Sequence, residues 1–405
     1  MNERFYIFKR QIKAKLQSLF FYANRVFPIN QKKIVFTTIE GTTGYMCNPK
    51  YIAEEFLKRN KAKKSNYELV WLVNDPNKSF PEGIRVVQNT LHNRAHELST
   101  AKFWIDDSRK QLECRKRKKQ IYIQTWHAQL AIKPIGLQRG AHFSRIAYLV
   151  SKHDSDMIDY FTSNSSWFTN QMPEGHLYNG KVLKTGSCRC DVLINQREQK
   201  RKEIRERYNL PETTKLLMYC PTFRSGSMGT NRTLDKGEEN FPNFTRLRQA
   251  LEERFGGDWT ILLRLHPQLT YRHQSYATGK EPTENFIDIS REDDMYEILA
   301  ACDAFLSDYS ASAFDAAVMR IPTFLFMKDY EEYIADRGQL MWSREELVLP
   351  NAMSEEELYQ TIRNFDEQEY RNKLEDFFRQ VELLEDGHAS ERVADFVEEQ
   401  TTWGN

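Results

Sequence analysis

Apolar, strand-like segments alternate with amphipathic helical segments in two successive series, and this pattern restricts the fold more than any other feature of the chain. The first series occupies residues 34–186 and the second occupies residues 216–327. A charged, proline-free segment with a helical pattern, residues 195–208, separates them. Strands that alternate with helices build parallel sheets covered by helices on both faces. We therefore predict two such sheets, and a length of 405 residues also favours two domains.

The sequence predicts an α/β protein with two Rossmann-like domains preceded by an amphipathic helix. The predicted boundaries are 1–30 for the N-terminal helix, 31–194 for the first domain, 195–385 for the second domain and 386–405 for a closing helix. Runs rich in β-branched and aromatic residues predict the strands. The strands are expected at residues 34–38, 67–74, 84–88, 101–106, 120–125, 158–161, 182–185, 216–220, 259–265, 304–307 and 323–327.

The N-terminal segment carries a stripe of apolar residues on a strongly basic background. These residues recur at spacings of three and four, and Glu3 is the only acid before residue 40. A basic helix with a phenylalanine-rich face can lie among the headgroups of an anionic membrane. The alternative is a helix docked on the protein's own core. The stripe consists of Phe5, Phe8, Ile12, Leu16, Leu19, Phe20, Ala23 and Phe27.

Charge and cysteine usage exclude several classes of protein. A net charge of +1 argues against a dedicated nucleic-acid binder, so no nucleic-acid partner is expected. The basic run at residues 115–119 either adds to the membrane-facing surface or forms a solvated loop. Six scattered cysteines without disulfide-scaffold spacing predict reduced thiols in an intracellular protein. No apolar run approaches the roughly 20 residues of a membrane span, and we expect no signal peptide.

Basic, hydroxyl and histidine side chains follow four of the predicted strands at the point where each strand ends. In parallel sheets ligands bind beyond the carboxyl ends of the strands. Two histidines and two arginines at such ends predict a site for a polyanion with a proton acceptor beside it. The residues concerned are His127, Thr222, Arg224, Arg264, His266, Asp308 and Ser310.

Each of these residues also has a purely structural interpretation. A histidine after a strand is often a core or surface residue, and Arg224 can be an ordinary surface charge. Ser310 and Ser312 can cap the next helix, because Ser312-x-x-Asp315 fits a capping box. A helix N-terminus with hydroxyls beside it also binds phosphate. The recurrence at four strand ends favours the phosphate site.

Five segments, in order, resemble those of the CDP-glycerol glycerophosphotransferases, the enzymes that prime and polymerise teichoic acids. They read QTWHAQLAIKPIG, YCPTFR, LLRLHP, LSDYSASAFDAAVMRIPTFLF and DYEEYIADRG, and the resemblance covers roughly residues 34–345. The resemblance implies a glycosyltransferase-B-like fold, with two Rossmann-like domains facing each other across a cleft. It also implies that the second domain holds a CDP-alditol donor and that the first faces a lipid-linked acceptor at the membrane.

The implied reaction moves glycerol phosphate, or a related alditol phosphate, from the CDP-alditol to an acceptor hydroxyl and releases CMP. The implied acceptor is an undecaprenyl-linked or polymeric teichoic acid, or a capsular or wall polysaccharide. No cofactor is implied beyond the donor substrate, CDP-glycerol or another CDP-alditol. The enzyme would lie peripherally on the cytoplasmic face of the plasma membrane, against its anionic surface.

The resemblance also implies roles for individual residues. His127 matches the histidine proposed to act as base on the acceptor hydroxyl, and His266 with Arg264 matches the pair near the donor pyrophosphate. Further matches lie in the donor motifs, with Ser310 as the first serine of the phosphate-binding turn. These further matches are Thr222, Arg224, Asp308, Ser310, Asp315 and Arg337.

The chain departs from the family's pattern in three places. Ala128 replaces a glycine, and Gln129–Leu130 replaces Thr-Pro, which leaves the acceptor open. Ala311 replaces the second serine of the phosphate-binding turn, which bears on the alditol. Residues 186–191 read GSCRCD where the family has Gly-x-Pro-Arg-Asn-Asp.

Two other functions are compatible with the sequence, and no metal site is expected. A glycosyltransferase of the same architecture would use a nucleotide sugar, because fold does not determine function. A non-catalytic membrane scaffold is compatible with Ala128 and Ala311, although the retained histidines favour an enzyme. No metal site is expected, since the pairs Asp106–Asp107 and Asp293–Asp294 are interpreted as solvated turns.

Overall fold

The computed structural model contains two α/β units, each built on a parallel sheet, and confirms the predicted pair of Rossmann-like domains with an N-terminal helix. The structure describes residues 3–222, 241–265 and 286–402. The first unit consists of Met1–Gln129, Ile135–Asp191 and Leu384–Asn405. The second unit consists of Leu130–Pro134 and Val192–Leu383.

A seven-stranded sheet forms the centre of the first unit. Its strands are β1 Asn30–Thr37, β2 Glu68–Val73, β3 Ile84–Gln88, β4 Ala101–Asp106, β5 Ile121–Gln124, β6 Tyr160–Ser163 and β7 Lys181–Lys184. The spatial order is β3-β2-β1-β4-β5-β6-β7, and neighbouring strands are parallel. Ile34, Val35 and Phe36 of the central strand are completely buried. A strand covered on both faces reads as a continuous apolar run, which is why the pattern identified it.

A six-stranded sheet forms the centre of the second unit. Its strands are β8 Lys215–Cys220, β9 Trp259–Leu263, β10 Phe286–Asp288, β11 Ala304–Ser307, β12 Thr323–Phe326 and β13 Asn351–Ala352. They are parallel and follow the order β10-β9-β8-β11-β12-β13. The predicted strands are present with small shifts in their bounds. Strands β10 and β13 were not predicted, because three and two residues are too few to show a pattern.

Helices connect the strands and cover the sheets. They are α1 Glu3–Ala23, α2 Cys47–Lys61, α3 Leu91–Thr100, α4 Arg145–Ser155, α5 Ser166–Gly175, α6 Asp191–Asn195, α7 Arg197–Arg207, α8 Phe244–Phe255, α9 Met295–Ala300, α10 Ser312–Val318, α11 Tyr330–Arg337, α12 Glu355–Arg363, α13 Glu367–Gln380 and α14 Ala389–Thr402. The helical pattern at 354–399 therefore corresponds to three helices. Two of them begin at capping side chains, since Ser354 and Asp366 accept hydrogen bonds from amides of the first turn.

In each sheet the chain reverses the direction in which it adds strands. β1 lies between β2 and β4, and β8 lies between β9 and β11. Ligands of open parallel sheets bind at such a reversal, beyond the carboxyl ends of the strands. The carboxyl ends of β1 and β4 meet there in the first unit, and those of β8 and β11 meet in the second.

Helix α1 packs on the first unit through a face that the apolar stripe does not include. The residues on this face that are buried are Ile7, Ala14, Ser18 and Phe21, and Phe21 is completely enclosed in the core. From Phe5 to Ala23 the predicted stripe lies on the opposite side of the helix, and its last residue, Phe27, lies beyond the helix end. Its large residues, Phe5, Phe8, Ile12, Leu16, Leu19, Phe20 and Phe27, are between 43% and 61% exposed.

The basic run at residues 115–119 is mostly a structural element. Arg115 donates to the carbonyls of Leu112 and Cys114, and Lys116 pairs with Asp159. Arg117 donates to the carbonyls of Phe27 and Ser99, which ties the segment after α1 to this loop. The last two lysines of the run are exposed.

Among the described residues, none of the helices combines the length and the apolar character that crossing a membrane requires.

Candidate functional site

His127 is exposed at the carboxyl edge of the first sheet, three residues beyond β5. The preceding residue, Trp126, has a φ of +49° and is only 5% exposed. A left-handed backbone at an aromatic residue is uncommon and needs support from its surroundings. Gln124 gives part of this support, because its Oε1 accepts a hydrogen bond from the Trp126 amide at 2.9 Å. The turn directs the tryptophan inward and the histidine outward.

One hydrogen bond defines the protonation of the His127 ring. Its Nδ1 lies 2.8 Å from the main-chain carbonyl oxygen of Asp107. Because a carbonyl only accepts, Nδ1 carries the proton, and Nε2 is the basic nitrogen of the neutral ring. The ring also stacks on Trp126, with centroids 4.6 Å apart and an interplanar angle of 29°. The His127 ring is thus fixed in both tautomer and orientation.

The pair Asp106–Asp107 is buried, so its interpretation as a solvated turn was wrong. The Asp106 side chain forms an ion pair with Lys110 in the interior, where both are at most 2% exposed. The Lys110 ammonium also donates to the Thr37 hydroxyl at 3.2 Å. Asp107 Oδ1 accepts the Ile39 amide at 2.8 Å. These bonds join the carboxyl ends of β1 and β4 at the reversal point of the sheet.

The second acidic pair, Asp293–Asp294, also differs from the solvated turn that was predicted for it. Asp294 is 8% exposed and caps α9, where its side chain accepts from the Tyr296 amide at 3.0 Å. The Asp293 carbonyl accepts a hydrogen bond from Arg264. The interpretation of this pair as a solvated turn was therefore wrong for Asp294.

The pKa of Asp107 is raised from 3.8 to about 7, chiefly by burial and then by the neighbouring Asp106 carboxylate. The Ile39 amide, the Cys47 thiol and the Arg189 charge act in the opposite direction and lower it. Near pH 7 this carboxyl is therefore divided between its neutral and charged forms. Its own main-chain carbonyl meanwhile orients the His127 ring.

A second histidine lies behind the first. His176 is buried against Trp126, with ring centroids 4.6 Å apart and an interplanar angle of 77°. Burial lowers the pKa of His176 well below its usual value, and the Arg109 and His127 charges lower it further. The Arg109 guanidinium lies 4.8 Å from the Trp126 ring centroid. His176 is therefore a neutral packing residue, whereas His127 is exposed.

In the second unit, Thr222 and Asp308 meet at the reversal point. The Thr222 amide donates to both carboxylate oxygens of Asp308, at 2.9 and 3.0 Å, and the Thr222 hydroxyl donates to Oδ2 at 3.0 Å. Ser307 Oγ donates to the Cys220 carbonyl at 2.6 Å, which also links the carboxyl ends of β11 and β8. Asp308 is 3% exposed. Its carboxylate therefore organises the ends of β8 and β11.

Arg264 has structural partners in its own unit. Its guanidinium donates to the carbonyls of Ile289, at 2.8 Å, of Glu292, and of Asp293, at 3.3 Å. Only 6% of the residue is exposed. These bonds hold the segment after β10 against the end of β9. Contact between Arg264 and a donor phosphate stays a prediction.

Ser310 forms a hydrogen bond with the first residue of α10. The predicted capping box, Ser312-x-x-Asp315, was wrong. The helix begins at Ser312, and the residue before it, Ala311, provides no side-chain cap. Ser310 Oγ accepts from the Ser312 amide at 3.3 Å and lies 2.8 Å from the Ser312 hydroxyl. The Asp315 carboxylate accepts instead from the Tyr296 hydroxyl at 2.7 Å.

The Ser310 turn and the helix that carries Arg337 are joined by two tyrosines. Tyr309 and Tyr333 stack with centroids 3.7 Å apart, and the Tyr309 hydroxyl donates to Asp329 at 3.1 Å. Arg337 lies in the last turn of α11, where its Nε is 3.0 Å from Asp336 Oδ2. The packing between the tyrosines makes the turn and α11 one structural element.

Two predicted site residues, Arg224 and His266, lie outside the described residues. Within residues 3–222, 241–265 and 286–402, no group of three or more His, Cys, Asp or Glu side chains is arranged to hold a metal ion. No sequence pattern predicted that Asn48, Asp107, Arg109 and His176 would neighbour the His127 turn. Of these four residues, only Asp107 could have been identified from the sequence, because it directly follows a predicted strand.

A family model supports the resemblance. The model described as CDP-Glycerol:Poly(glycerophosphate) glycerophosphotransferase matches residues 19–399. The teichoic acid poly(glycerol phosphate) polymerase of Staphylococcus epidermidis is 28% identical over 403 residues, which cover 95% of this chain and 53% of that protein. The chain spans about half the length of the first curated relatives that it matches.

Two further comparisons cover nearly the whole length of both partners. The teichoic acid glycerol-phosphate transferase of Staphylococcus aureus is 28% identical over 389 residues, 91% of this chain and 93% of that protein. A structure of the wall teichoic acid polymerase TagF, a histidine variant soaked with CDPG, covers 100% of this chain and 99% of its own. Its TM-score is 0.79 at 26% identity, so the fold is shared over the full chain.

The raised pKa of Asp107 predicts a specific pH dependence of stability. Between 3.8 and about 7 the folded protein holds a proton that the unfolded chain has released, so this group makes stability fall as pH rises. We expect Asp107→Asn to remove a slope of up to about 1.4 kcal/mol per pH unit. Chemical denaturation across this pH interval measures it. The exposed Asp75 provides the control, since Asp75→Asn should keep the wild-type slope, and an unchanged slope in Asp107→Asn would contradict the prediction.

Proposed function

Because the chain belongs to the CDP-glycerol:poly(glycerophosphate) glycerophosphotransferase family, we propose that it transfers an alditol phosphate from a CDP-alditol to an acceptor hydroxyl. Glycerol phosphate is the proposed group, since the relatives named above are glycerol-phosphate enzymes. The proposed acceptor is a lipid-linked or polymeric teichoic acid. The chain matches only about half of its first relatives, so polymerisation or single-unit addition is not part of the proposal.

The observation that carries the proposal is the fixed, exposed His127. Its Nδ1–H is held by the Asp107 carbonyl at 2.8 Å, so Nε2 accepts a proton. An imidazole near neutrality is suited to take the proton of an attacking alcohol. In the proposed step the acceptor oxygen forms a bond to the β-phosphorus of the donor while its proton passes to Nε2. The bond between the β-phosphorus and the bridging oxygen breaks, and its electron pair leaves with CMP.

Phosphoryl transfer demands alignment and charge stabilisation more than covalent chemistry. The proposed donor contacts come from the second unit, where Thr222 and Ser310 carry hydroxyls beside the reversal point of the sheet. Asp308 holds the Thr222 segment in place, as three hydrogen bonds indicate. Arg224, Arg264 and His266 are proposed to stabilise charge on the departing CMP.

The test supplies the purified protein with CDP-glycerol, CDP-ribitol and a UDP-sugar in turn, with bacterial membranes as the acceptor source. We expect membrane-dependent CMP release from CDP-glycerol, and at least a hundredfold loss in His127→Ala with donor affinity nearly unchanged. His266→Ala should lose both transfer and donor binding. His92→Ala, an exposed histidine of the same unit, is the matched control and should keep wild-type turnover.

Each contrary outcome has a distinct meaning. Wild-type turnover in His127→Ala would reject the assignment of the base. Release of UDP would make the protein a sugar transferase. Donor binding in a titration, without turnover of any donor, would support a non-catalytic scaffold. CMP release from CDP-ribitol alone would keep the reaction and change the alditol.

We further propose that α1 binds the anionic cytoplasmic face of the plasma membrane. Its exposed apolar stripe includes Leu16, at 61% exposure, and Leu19, at 59%. On the helical wheel the stripe is bordered by Arg4 and Lys15 on one side and by Lys13 on the other, and Lys9 lies within that second edge, beside Phe20. Apolar residues between rows of cations fit the boundary between acyl chains and acidic headgroups.

Vesicle binding tests this orientation of the helix. Leu16→Glu combined with Leu19→Glu should reduce co-sedimentation with vesicles of anionic phospholipid by at least tenfold, because two charges would enter the acyl region. Ile194→Glu is the control, since Ile194 is 37% exposed and lies in the second unit. Equal binding by the double variant and the wild type would reject α1 as the membrane surface.

A further inference from the structure

We infer that Asn48 is the positioning residue that holds the turn carrying His127. The inference rests on the proposed function, in which His127 is the base, and it assigns a role to a residue that no motif identified. Asn48 lies in the first turn of α2 and is 1% exposed. It acts through main-chain groups of the turn and touches no reacting atom in this account.

Both ends of the Asn48 amide are engaged. Its Nδ2 donates to the Trp126 carbonyl at 2.6 Å and to the Thr125 carbonyl at 3.3 Å. Its Oδ1 accepts the Arg189 amide at 2.9 Å. Among side chains of this size, only a carboxamide presents a donor and an acceptor in this way. The side chain therefore clamps the turn to residues 188–190 of the same unit.

The turn needs such a clamp because its backbone is strained. Trp126 has a φ of +49°, which a bulky residue adopts only where its surroundings impose it. Two successive carbonyls, those of Thr125 and Trp126, point toward one side, and the Asn48 amide supplies the donor that they share. The Trp126 carbonyl belongs to the peptide that enters His127. Its orientation therefore controls whether the histidine ring reaches the Asp107 carbonyl.

The segment that departs from the family's pattern supports the clamp. Residues 186–191 contain Arg189, which is 1% exposed although its side chain is charged. Its Nη1 lies 3.8 Å from Cys47 Sγ, at the start of α2. Cys47 itself has a φ of +60°. The buried arginine thus fixes the residue directly before Asn48, while its main-chain amide fixes the Asn48 side chain.

Asn48→Asp is the informative variant, because it keeps the shape and the acceptor but removes the donor. Once ionised, this carboxyl would face the carbonyls of Thr125 and Trp126 and repel them, and because burial raises its pKa the effect should grow as the assay pH rises. We expect kcat for CMP release to fall at least tenfold. The KM for the donor should stay within twofold, because the proposed donor hydroxyls of Thr222 and Ser310 belong to the other unit.

Asn60→Asp is the matched control. Asn60 lies on the same helix, where its Nδ2 donates to the Tyr67 carbonyl at 2.8 Å and its Oδ1 accepts the Tyr67 amide at 3.0 Å. The substitution makes the same chemical change at a main-chain clamp that does not contact the His127 turn. We expect it to lower the thermal midpoint, as Asn48→Asp does, and to leave kcat within twofold of the wild type.

The direct readout is the tautomer of His127, measured by the ring ¹⁵N shifts of histidine-labelled protein and assigned with His127→Gln. We expect a proton on Nδ1 in the wild type and in Asn60→Asp, and a mixture of tautomers in Asn48→Asp. An unchanged tautomer together with unchanged kcat in a folded Asn48→Asp protein would overturn the inference. Because this measurement needs no turnover, a protein without transferase activity would fail the proposed function but could still confirm the clamp.

Discussion

A parallel sheet buried on both faces leaves only its carboxyl ends for chemistry, and this constraint organises both units. In β1 the residues Ile34 to Phe36 have no exposed surface, so no polar function can be placed along the strand. The chain presents His127 beyond β5 and joins Thr222 to Asp308 beyond β8 and β11. The reversal of strand order opens space at these ends. The described polar groups therefore gather at the carboxyl edges of both sheets.

Carboxylates near these edges act as organisers of the backbone. Asp107 accepts the Ile39 amide through its side chain and orients His127 through its carbonyl. The Asp308 carboxylate accepts hydrogen bonds from the amide and the hydroxyl of Thr222. Both acids are thus engaged with the loops, an arrangement that suits the proposed transfer of an anionic group. Alignment of this kind is the main requirement of phosphoryl transfer.

The sequence predicts those parts of the structure that depend on patterns within a few residues. It does not predict those that depend on contacts between residues far apart in the chain. The strands, and the position of His127 after one of them, follow from periodicity within a few residues. The Asn48 clamp joins residues 78 positions apart, and no local pattern contains it. Likewise, spacing identified an apolar stripe on α1, but contacts of Ile7 and Phe21 determine which face packs. The burial of Asp106 depends on its pairing with Lys110 inside the fold.

The fate of the donor's two phosphorus atoms tests the central claim most directly. CDP-glycerol would be prepared with one radiolabel at the α-phosphorus and, separately, at the β-phosphorus, and incubated with the protein and membrane acceptor. Attack on the β-phosphorus predicts that the β label enters the acceptor polymer while the α label appears in CMP. Recovery of both labels in released CDP would contradict the account, because the protein would then cleave the bond that a sugar transferase cleaves.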